Sequence, residues 1–557
     1  MIPVLTPEEM RAVDEAAAEP VAVLIARAGS AVARTALDML GGGYGRRVVV
    51  IAGPGNNGAD GRVAATRLRE RGVVVTVIDV GRDTPPPPAV GPCDLVIDAA
   101  YGTGFRGAYI APDCGGARVL AVDIPTGVDG GTGEVPDGTI PVRADTTVTF
   151  AAYKPGLLFG RGPELAGRII LADIGLGAAA VSTIGIVERD DVRNRLPRRA
   201  RDTHKWRSAV LVVGGSPGML GAPSLAAAAA QRAGAGMVRL AVPGGSSAVA
   251  DRAEAVGVEL PLEAWATDAL AHAERCRAVV IGPGLGRSGP TRRDVRAMLA
   301  KLAIPAVVDA DALAAIGTDD GAPGEPAPVT VRPRVPPDPA VRAAIRAAFA
   351  GGPPRSGASF RAGPDPTIGL SPGQRAVLQA TARRIGAAPR AAAQLGTPAA
   401  SDLEAAVRSL GGRLPGTTVL TPHDGEFAVI TGHRPTSDRV GDARRLAETT
   451  GAVVLLKGPT TVVAAPDGWV ELVIEGDARL ATAGTGDVLA GMIGAFLAQG
   501  LDPLTAASTA AWVHGHAARR GQAVGMTAGD LPALVSIVCS EFASTDAGGA
   551  TVTAPQP

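Results

Sequence analysis

The stretch RRVVVIAGPGNNGADGRVAATRL (46–68) decides the class of the fold. VVVIA is a short apolar run without alternation, the pattern of a strand buried on both faces. It runs into glycines that let the backbone turn sharply. GRVAATRLRERG (61–72) then reads as a helix stopped at Gly72. The unit repeats downstream. VVVTVIDV (73–80) is a second strand, and DLVIDAAYGTG (94–104) and RVLAVDIPTG (118–127) are strands that end in loops. Strands alternating with helices predict a parallel, doubly wound α/β sheet with its site at the strand C-termini. Upstream, Thr6-Pro7-Glu8-Glu9 predicts a capped helix start, and the helical stretch runs to about Leu40 with a break near Pro20.

Within this stretch GPGNNG fits G-x-G-x-x-G, the dinucleotide fingerprint, with Asp79 placed where a ribose acid would sit. A bare structural turn gives the same match. Asn56, Asn57 and Asp60 bring side-chain oxygens to a place where a phosphate wants N–H donors. Oxygen-rich loops suit a hard cation or a polar substrate. Asp98 and Asp123 bring the same chemistry to two neighbouring loops, so the three predict a site at one sheet edge.

The chain has 557 residues, too many for one core, which predicts two or three domains. Aromatic residues are only 3%, so the cores must be built from Ala, Val and Leu. Lys+Arg and Asp+Glu both number 54, which removes an electrostatic case for nucleic acid or an anionic membrane. Cys93, Cys114, Cys276 and Cys539 form no C-x-x-C and predict plain buried thiols. MIPVLTPEEM has neither a basic nor an apolar leader region, and no apolar run is long enough to span a bilayer. The expectation is a cytoplasmic protein.

The pattern breaks near RNRLPRRARDTHK (193–205) and restarts with SAVLVVGGS (208–216), an Ala-rich helix over 222–233, MVRLAVP, RAVVIGPGLG and PAVVDADAL. Domains are therefore expected over 1–190 and 200–542, with a tail over 543–557. Residues 318–411 are Pro-rich and break the rhythm; they predict a partly disordered insertion with helices near 339–350 and 372–385.

The strongest motif of the second half is ATAGTGDVLAGMIGAFLAQG (481–500). Gly484, Thr485 and Gly486 leave N–H groups free before an apolar helix, which makes an anion hole backed by the helix dipole. Asp487 follows, placed to act as the base in phosphoryl transfer. In VLLKGPTTVV (454–463), Lys457, Thr460 and Thr461 suit nucleotide phosphates. TPHDGEF (421–427) puts His423 and Glu426 after a strand, at the same edge. His514 and His516 read as packing or surface residues.

In order, GPGNNGADGRVAATRL, DAAYGTG, VDIPTGVDGGTG and YKPG resemble the NAD(P)H-hydrate epimerase family, the YjeF N-terminal domain, over about residues 1–185. The resemblance implies a Rossmann-like three-layer domain that interconverts the R and S forms of hydrated NAD(P)H, called NAD(P)HX. It implies K+ held by Asn57, Asp98 and Thr126. It further implies substrate contacts from Asn56, Asn57, Gly58, Ala59 and Asp60, from Gly102, Thr103, Gly104, Phe105, Arg106, Gly107 and Ala108, and from Asp123. Ala59 stands where the family has Gly, and Thr126 where it has Ser, which keeps the hydroxyl. Epimerisation at a carbon bearing nitrogen needs proton traffic at a placed carboxylate, which points to Asp123 with help from Lys154.

HKWRSAVLVVGGS, GAPSLAAAAAQRAGAGMV, GPGLG, DADAL, TPHDGEF, KGPTT and AGTGDVLAG resemble the ADP-dependent NAD(P)H-hydrate dehydratase family, the YjeF C-terminal domain, over about 200–317 and 412–542. This implies a ribokinase-like fold, often oligomeric, that converts (6S)-NAD(P)HX and ADP into NAD(P)H, AMP and phosphate with Mg2+. It implies nucleotide contacts from Lys457, Gly458, Pro459, Thr460, Thr461 and Gly486, and contacts to the hydrate from Ala222, Gly284 or Gly286, His423 and Asp487. The rival readings are a ribokinase-like small-molecule kinase, which would leave phosphate on its product, and a silent binding module in the first half. A plain NAD dehydrogenase lacks a hydride-transfer acid/base set in this chain.

Overall fold

The computed structural model describes residues 1–245, 254–317, 407, 412 and 414–544. The expected insertion over 318–411, with its two helices, lies outside the described residues apart from 407, and so does the tail from 545 onward. No helix among the described residues is long and apolar enough to cross a membrane.

The chain opens with a short strand, β1 (Ile2–Val4), followed by the helices Pro7–Glu15 and Val21–Leu40. The first helix starts with the expected capping box: the Glu9 amide donates to Thr6 Oγ1 at 3.2 Å and the Thr6 amide to Glu9 Oε2 at 2.8 Å. Six strands follow: β2 (Arg47–Ala52), β3 (Val74–Asp79), β4 (Leu95–Ala99), β5 (Arg118–Val122), β6 (Thr146–Phe150) and β7 (Arg168–Ala172). They form one sheet in the order β3-β2-β4-β5-β6-β7, and every pairing is parallel, as the alternation predicted. The chain leaves β2 toward β3 on one side and returns to β4 on the other. That reversal opens a crevice beyond the C-terminal ends of β2 and β4.

One local expectation needs correction. Asn56, Asn57 and Asp60 do not lie in a loop; the helix spans Asn56–Arg69, five residues earlier than expected, with Gly55 as its N-cap. The helix starts hard against the strand because Gly58 carries no side chain: a Cβ there would overlap the Gly53 backbone. Asn57 and Asp60 are thereby one turn apart on one helix face. Gly58→Ala is expected to lower stability by about 1–3 kcal/mol through overpacking, read as a lower midpoint in urea unfolding.

The second sheet has eleven strands. It contains β8 (Ile184–Ile186), β9 (Ala209–Val213), β10 (Met237–Pro243), β11 (Val256–Leu260), β12 (Ala278–Ile281), β13 (Ala306–Val308), β14 (Thr418–Leu420), β15 (Val453–Leu456), β16 (Thr461–Ala464) and β17 (Val470–Val473). The order is β1-β8-β17-β16-β15-β14-β13-β12-β9-β10-β11. Strands β9 to β15 pair in parallel, and β15, β16 and β17 run antiparallel. The edge comes from the first part of the chain: β8 pairs with β17, and β1 with β8. Sheet membership thus crosses the boundary expected near residue 190. Between the sheet and its covering helices the core is small-residue packing. Ala226, Ala227, Ala229 and Ala230 meet Val488, Met492 and Ala495, as an aromatic-poor composition requires.

Candidate functional sites

The first site is a cleft of about 1090 Å³ at the C-terminal edge of the six-stranded sheet. Asn56, Asn57, Asp60, the 102–106 loop, Ala108, Asp123 and Lys154 line it together. Gly58, Ala59 and Gly107 do not line it. Asp79 is also outside: it is exposed and pairs with Arg62 at 2.6 Å, so it has no place as a ribose acid.

Asp123 follows β5 in the left-handed region, φ +70°. A non-glycine residue held there costs about 1–3 kcal/mol and persists only where its surroundings impose it. Here the backbone imposes it, through the Asp123 amide on the Val148 carbonyl at 2.6 Å and the Ile124 amide on the Val122 carbonyl at 2.9 Å, and a fully buried lysine meets the side chain: Lys154 Nζ lies 2.6 Å from Asp123 Oδ1. The ammonium also donates to Thr149 Oγ1 at 2.9 Å and to the Phe150 carbonyl at 3.0 Å, which fixes its position. Burial, then the charges of Asp123 and Asp14, push the Asp60 carboxyl up to about 8. Asp60 is therefore a protonated donor at neutral pH.

Beneath the cleft Asp98 is buried and accepts from the Thr126 amide at 2.9 Å and the Thr126 hydroxyl at 2.8 Å. Burial pushes its carboxyl up to about 6 against the pull of those hydrogen bonds. No lysine or arginine pairs with it among the described residues. Both polar atoms of the Asn57 amide are buried without a partner among the described residues. Buried polar groups are nearly always satisfied, so an orphaned amide marks a place for a ligand.

Sequence reasoning missed two contributions here. Asp14, on the helix Pro7–Glu15, lines the cleft, and only its position on a capped helix next to the site could have suggested it. Tyr101 and Tyr109 line it too, forming an aromatic wall with Phe105; the Tyr101 and Phe105 ring centroids are 4.6 Å apart. In a chain with so few aromatic rings, three are gathered in this one wall.

The second site lies at the C-terminal edge of the eleven-stranded sheet. Gly484 caps the helix Thr485–Ala498 with φ +92°, and a Cβ there would press to 2.6 Å from Leu225 Cδ1. The turn thus needs glycine, and it aims the first amides of the helix outward. Asp487 stands in the first turn of that helix. Burial and the charge of Asp309 push its carboxyl up to about 7, with Lys457 pulling the other way and Glu426 and Asp311 adding to the rise. Lys457 Nζ pairs with Asp309 Oδ1 at 2.7 Å and reaches Glu426 Oε2 at 3.8 Å. Burial opposes its charge, but the surrounding carboxylates outweigh that and raise its pKa. A Cβ at Gly486 would lie 3.3 Å from Lys457 Nζ, so the ammonium stands beside the first turn of the helix.

Other expected residues take more varied places. A Cβ at Gly284 would meet Ala222 Cβ at 3.5 Å, so these two are neighbours. The Gly286 amide donates to Asp311 Oδ2 at 2.9 Å. His423 Nδ1 accepts from the Gly425 and Glu426 amides at 2.9 and 3.2 Å, so the ring caps the helix Asp424–Thr431. Its Nε2 sits 3.5 Å from Glu426 Oε1 on a half-exposed side chain. Gly458 and Pro459 are exposed. The Thr460 hydroxyl is not free for phosphate: it is buried and donates to the Leu158 carbonyl at 2.8 Å. Thr461 donates to the Gly458 carbonyl at 3.4 Å.

His514, read as packing or surface, is buried against this site. It bonds the Thr485 backbone, and burial and the Lys457 charge hold its pKa down to about 4. Its Nε2 has no partner among the described residues. A neutral ring therefore backs the start of the anion-hole helix.

Two family models match the chain. One, described as YjeF-related protein N-terminus, matches residues 21–90 and 80–156. The other, described as NAD(P)H-hydrate dehydratase, matches residues 210–334 and 409–538. The bifunctional NAD(P)H-hydrate repair enzyme Nnr of Moorella thermoacetica is 33% identical over 549 residues, 87% of this chain and 86% of that protein. The chain belongs to the bifunctional NAD(P)H-hydrate repair enzyme family. The Nnr of Salinibacter ruber is 32% identical, with 97% of this chain and 96% of that protein covered. Among solved structures, the ADP/ATP-dependent NAD(P)H-hydrate dehydratase of Bacillus subtilis, co-crystallised with ATP and Mg2+, is 23% identical. It covers 64% of this chain and 98% of its own, with a TM-score of 0.41.

Proposed function

We propose that this repair-family chain interconverts the R and S forms of NAD(P)HX at the first site and dehydrates the S form at the second. The second reaction consumes ADP and releases AMP and phosphate. The observation that carries the reading is a carboxylate set in the field of a lysine ammonium at each of two sheet edges. Asp123 has Lys154 at 2.6 Å, and Asp487 stands with Lys457 beside an anion hole.

At the first site Asp123 carries the proton traffic that inversion at the carbon bearing nitrogen and hydroxyl requires, and Lys154 holds the carboxylate in place. Protonated Asp60 donates to the substrate, and the aromatic wall offers its planar rings a face. Asn57, Asp98 and Thr126 fit K+: the first has an orphaned amide, the second a carboxylate without a cationic partner, the third a hydroxyl. Bound K+ supplies a fixed positive charge at the floor of the cleft. Apparent K+ affinity is expected to weaken as pH falls through about 6, because protonation of Asp98 removes the negative charge that attracts the ion. Thermal shifts on KCl addition at pH 5.5 and 7.5 measure this; equal shifts would count against the assignment.

At the second site Asp487 takes the proton of the hydrate's hydroxyl. The freed oxygen attacks the terminal phosphoryl group of ADP, and AMP departs. The amides of residues 484–486 receive the charge that develops on the phosphoryl oxygens. Phosphate then leaves in place of hydroxide, and a proton lost from the adjacent ring carbon restores the double bond. Mg2+ would enter on the nucleotide phosphates, where it would neutralise their charge. The cysteines are all free thiols, which supports a reducing cytoplasm.

The test is to incubate the chain with mixed R and S NADHX, ADP and Mg2+ while following absorbance at the NADH band. Conversion of both epimers with release of AMP and phosphate is expected. Conversion of the S fraction alone would mean a silent first site, and a phosphorylated product would support the kinase reading.

A further inference from the structure

Lys154, the partner of Asp123, sits in a segment tied to the second sheet at both ends. On one side, the Tyr153 amide donates to the Pro3 carbonyl and the Leu5 amide to the Tyr153 carbonyl, both at 2.9 Å. Pro3 belongs to β1 and pairs with Gly185 of β8, Gly185 with Glu471 of β17, and Glu471 with Val463 of β16. On the other side, the Leu158 carbonyl accepts the buried hydroxyl of Thr460 at 2.8 Å. Thr460 immediately precedes β16, so the two attachments close a ring through one strand.

The segment inside that ring has little slack. Between Lys154 and Leu158 runs a single tight turn, in which the Leu157 amide donates to the Lys154 carbonyl at 2.9 Å and the Leu158 amide to the Pro155 carbonyl at 2.8 Å. The Gly156 amide donates to the Gly130 carbonyl at 2.8 Å, and a Cβ at Gly156 would overlap the Asp129 carbonyl. Leu157 belongs to a small core cluster with Ile124 and Val128 of the first half, whereas Leu158 and Phe159 belong to the core cluster that lies on the second sheet and includes Val454, Leu456 and Val462. The other end of the link is equally held. Thr460 lies three residues after Lys457, whose carbonyl accepts from Arg439 at 2.8 Å and whose ammonium is on Asp309.

We propose that Thr460 is a positioning residue for the first site as well as a member of the nucleotide loop. Its hydroxyl fixes Leu158 and, through the turn, holds Lys154 against Asp123. Nucleotide on residues 457–461 therefore changes the rate of epimerisation, and by linkage a ligand in the first cleft changes the affinity for ADP. This rests on the proposed function of both sites.

The experiment follows R-to-S conversion of NADHX by chromatography in a full-length Asp487→Asn chain, where dehydration does not drain the S form. Thr460→Val is expected to lower kcat for epimerisation about five-fold or more, within the range of site-to-site couplings, with KM little changed and the pH profile shifted. Thr460→Ser keeps the hydroxyl and restores the parental rate and profile. ADP is expected to alter the rate when Thr460 is intact and to lose that effect in Thr460→Val. A Thr460→Val chain with parental kcat and profile, or a Thr460→Ser chain as slow as the valine variant, overturns the positioning role. A parental rate indifferent to saturating ADP overturns the nucleotide link, and that arm needs no change at Thr460. A parent that does not epimerise at all sinks the proposed first activity instead, so the two failures are distinct.

Discussion

Replacing Asp487 with asparagine is expected to lower kcat for dehydration by about 10²–10⁴-fold, the usual worth of a placed general base, and to leave epimerisation intact. Asn keeps the size and the place in the first helical turn but cannot accept the hydroxyl proton. The pH dependence of the unmodified chain supplies an independent check. Burial and Asp309 raise the Asp487 carboxyl to about 7, so it is protonated over more of the acid range than an exposed aspartate. A base must be ionised to act. Dehydration is therefore expected to fall about tenfold per pH unit below pH 7 and to level off above it. Asp309→Asn removes the largest neighbouring negative charge and should move this limb to lower pH, whereas a limb set by substrate ionisation would stay in place. Residual activity within tenfold of the parent in Asp487→Asn, or a flat profile between pH 5 and 8, would assign the proton to another group.

Much of this arrangement was legible because its elements are long or chemically marked. Valine-rich strands ending in Gly and Asp announced the parallel sheet and four of its six strands, and GTGD before an apolar run announced the glycine-capped helix. What stayed hidden has physical reasons. The start of the helix at Asn56 was obscured because GPGNNGADG looks like loop chemistry. The close approach that Gly58 permits between helix and strand is a three-dimensional property that no spacing encodes. Strands β1 and β8 have three residues each, too few to show a period, so the sharing of one sheet by both halves was invisible. That His514 packs against Thr485 rather than lying at the surface depends on a contact across a gap of 29 positions. Thr460 was legible as part of a phosphate loop, but its hydroxyl is committed to Leu158, a partner 302 positions away.

Asp123→Asn is the sharper test of the first site, because asparagine keeps the size and backbone preference of the residue while removing its charge and proton chemistry. Asp123 is held at φ +70°, a region that Asn and Asp tolerate better than other non-glycine residues. The backbone should keep its path, which alanine would not guarantee. Lys154 loses its anionic partner but retains the Thr149 hydroxyl and the Phe150 carbonyl as acceptors. Epimerisation is expected to fall by about 10²–10⁴-fold, while dehydration of the S form continues at the parental rate. With mixed NADHX, ADP and Mg2+, the progress curve should then rise quickly to the S fraction and stop. Adding a small amount of the Asp487→Asn chain, which epimerises but does not dehydrate, should release the remainder. Complementation in trans follows only if the two carboxylates act at separate sites on a substrate that leaves one and enters the other. A mixture that stays stalled would mean that the Asp487→Asn chain delivers no free S form, and would count against the assignment of the two carboxylates to separate reactions.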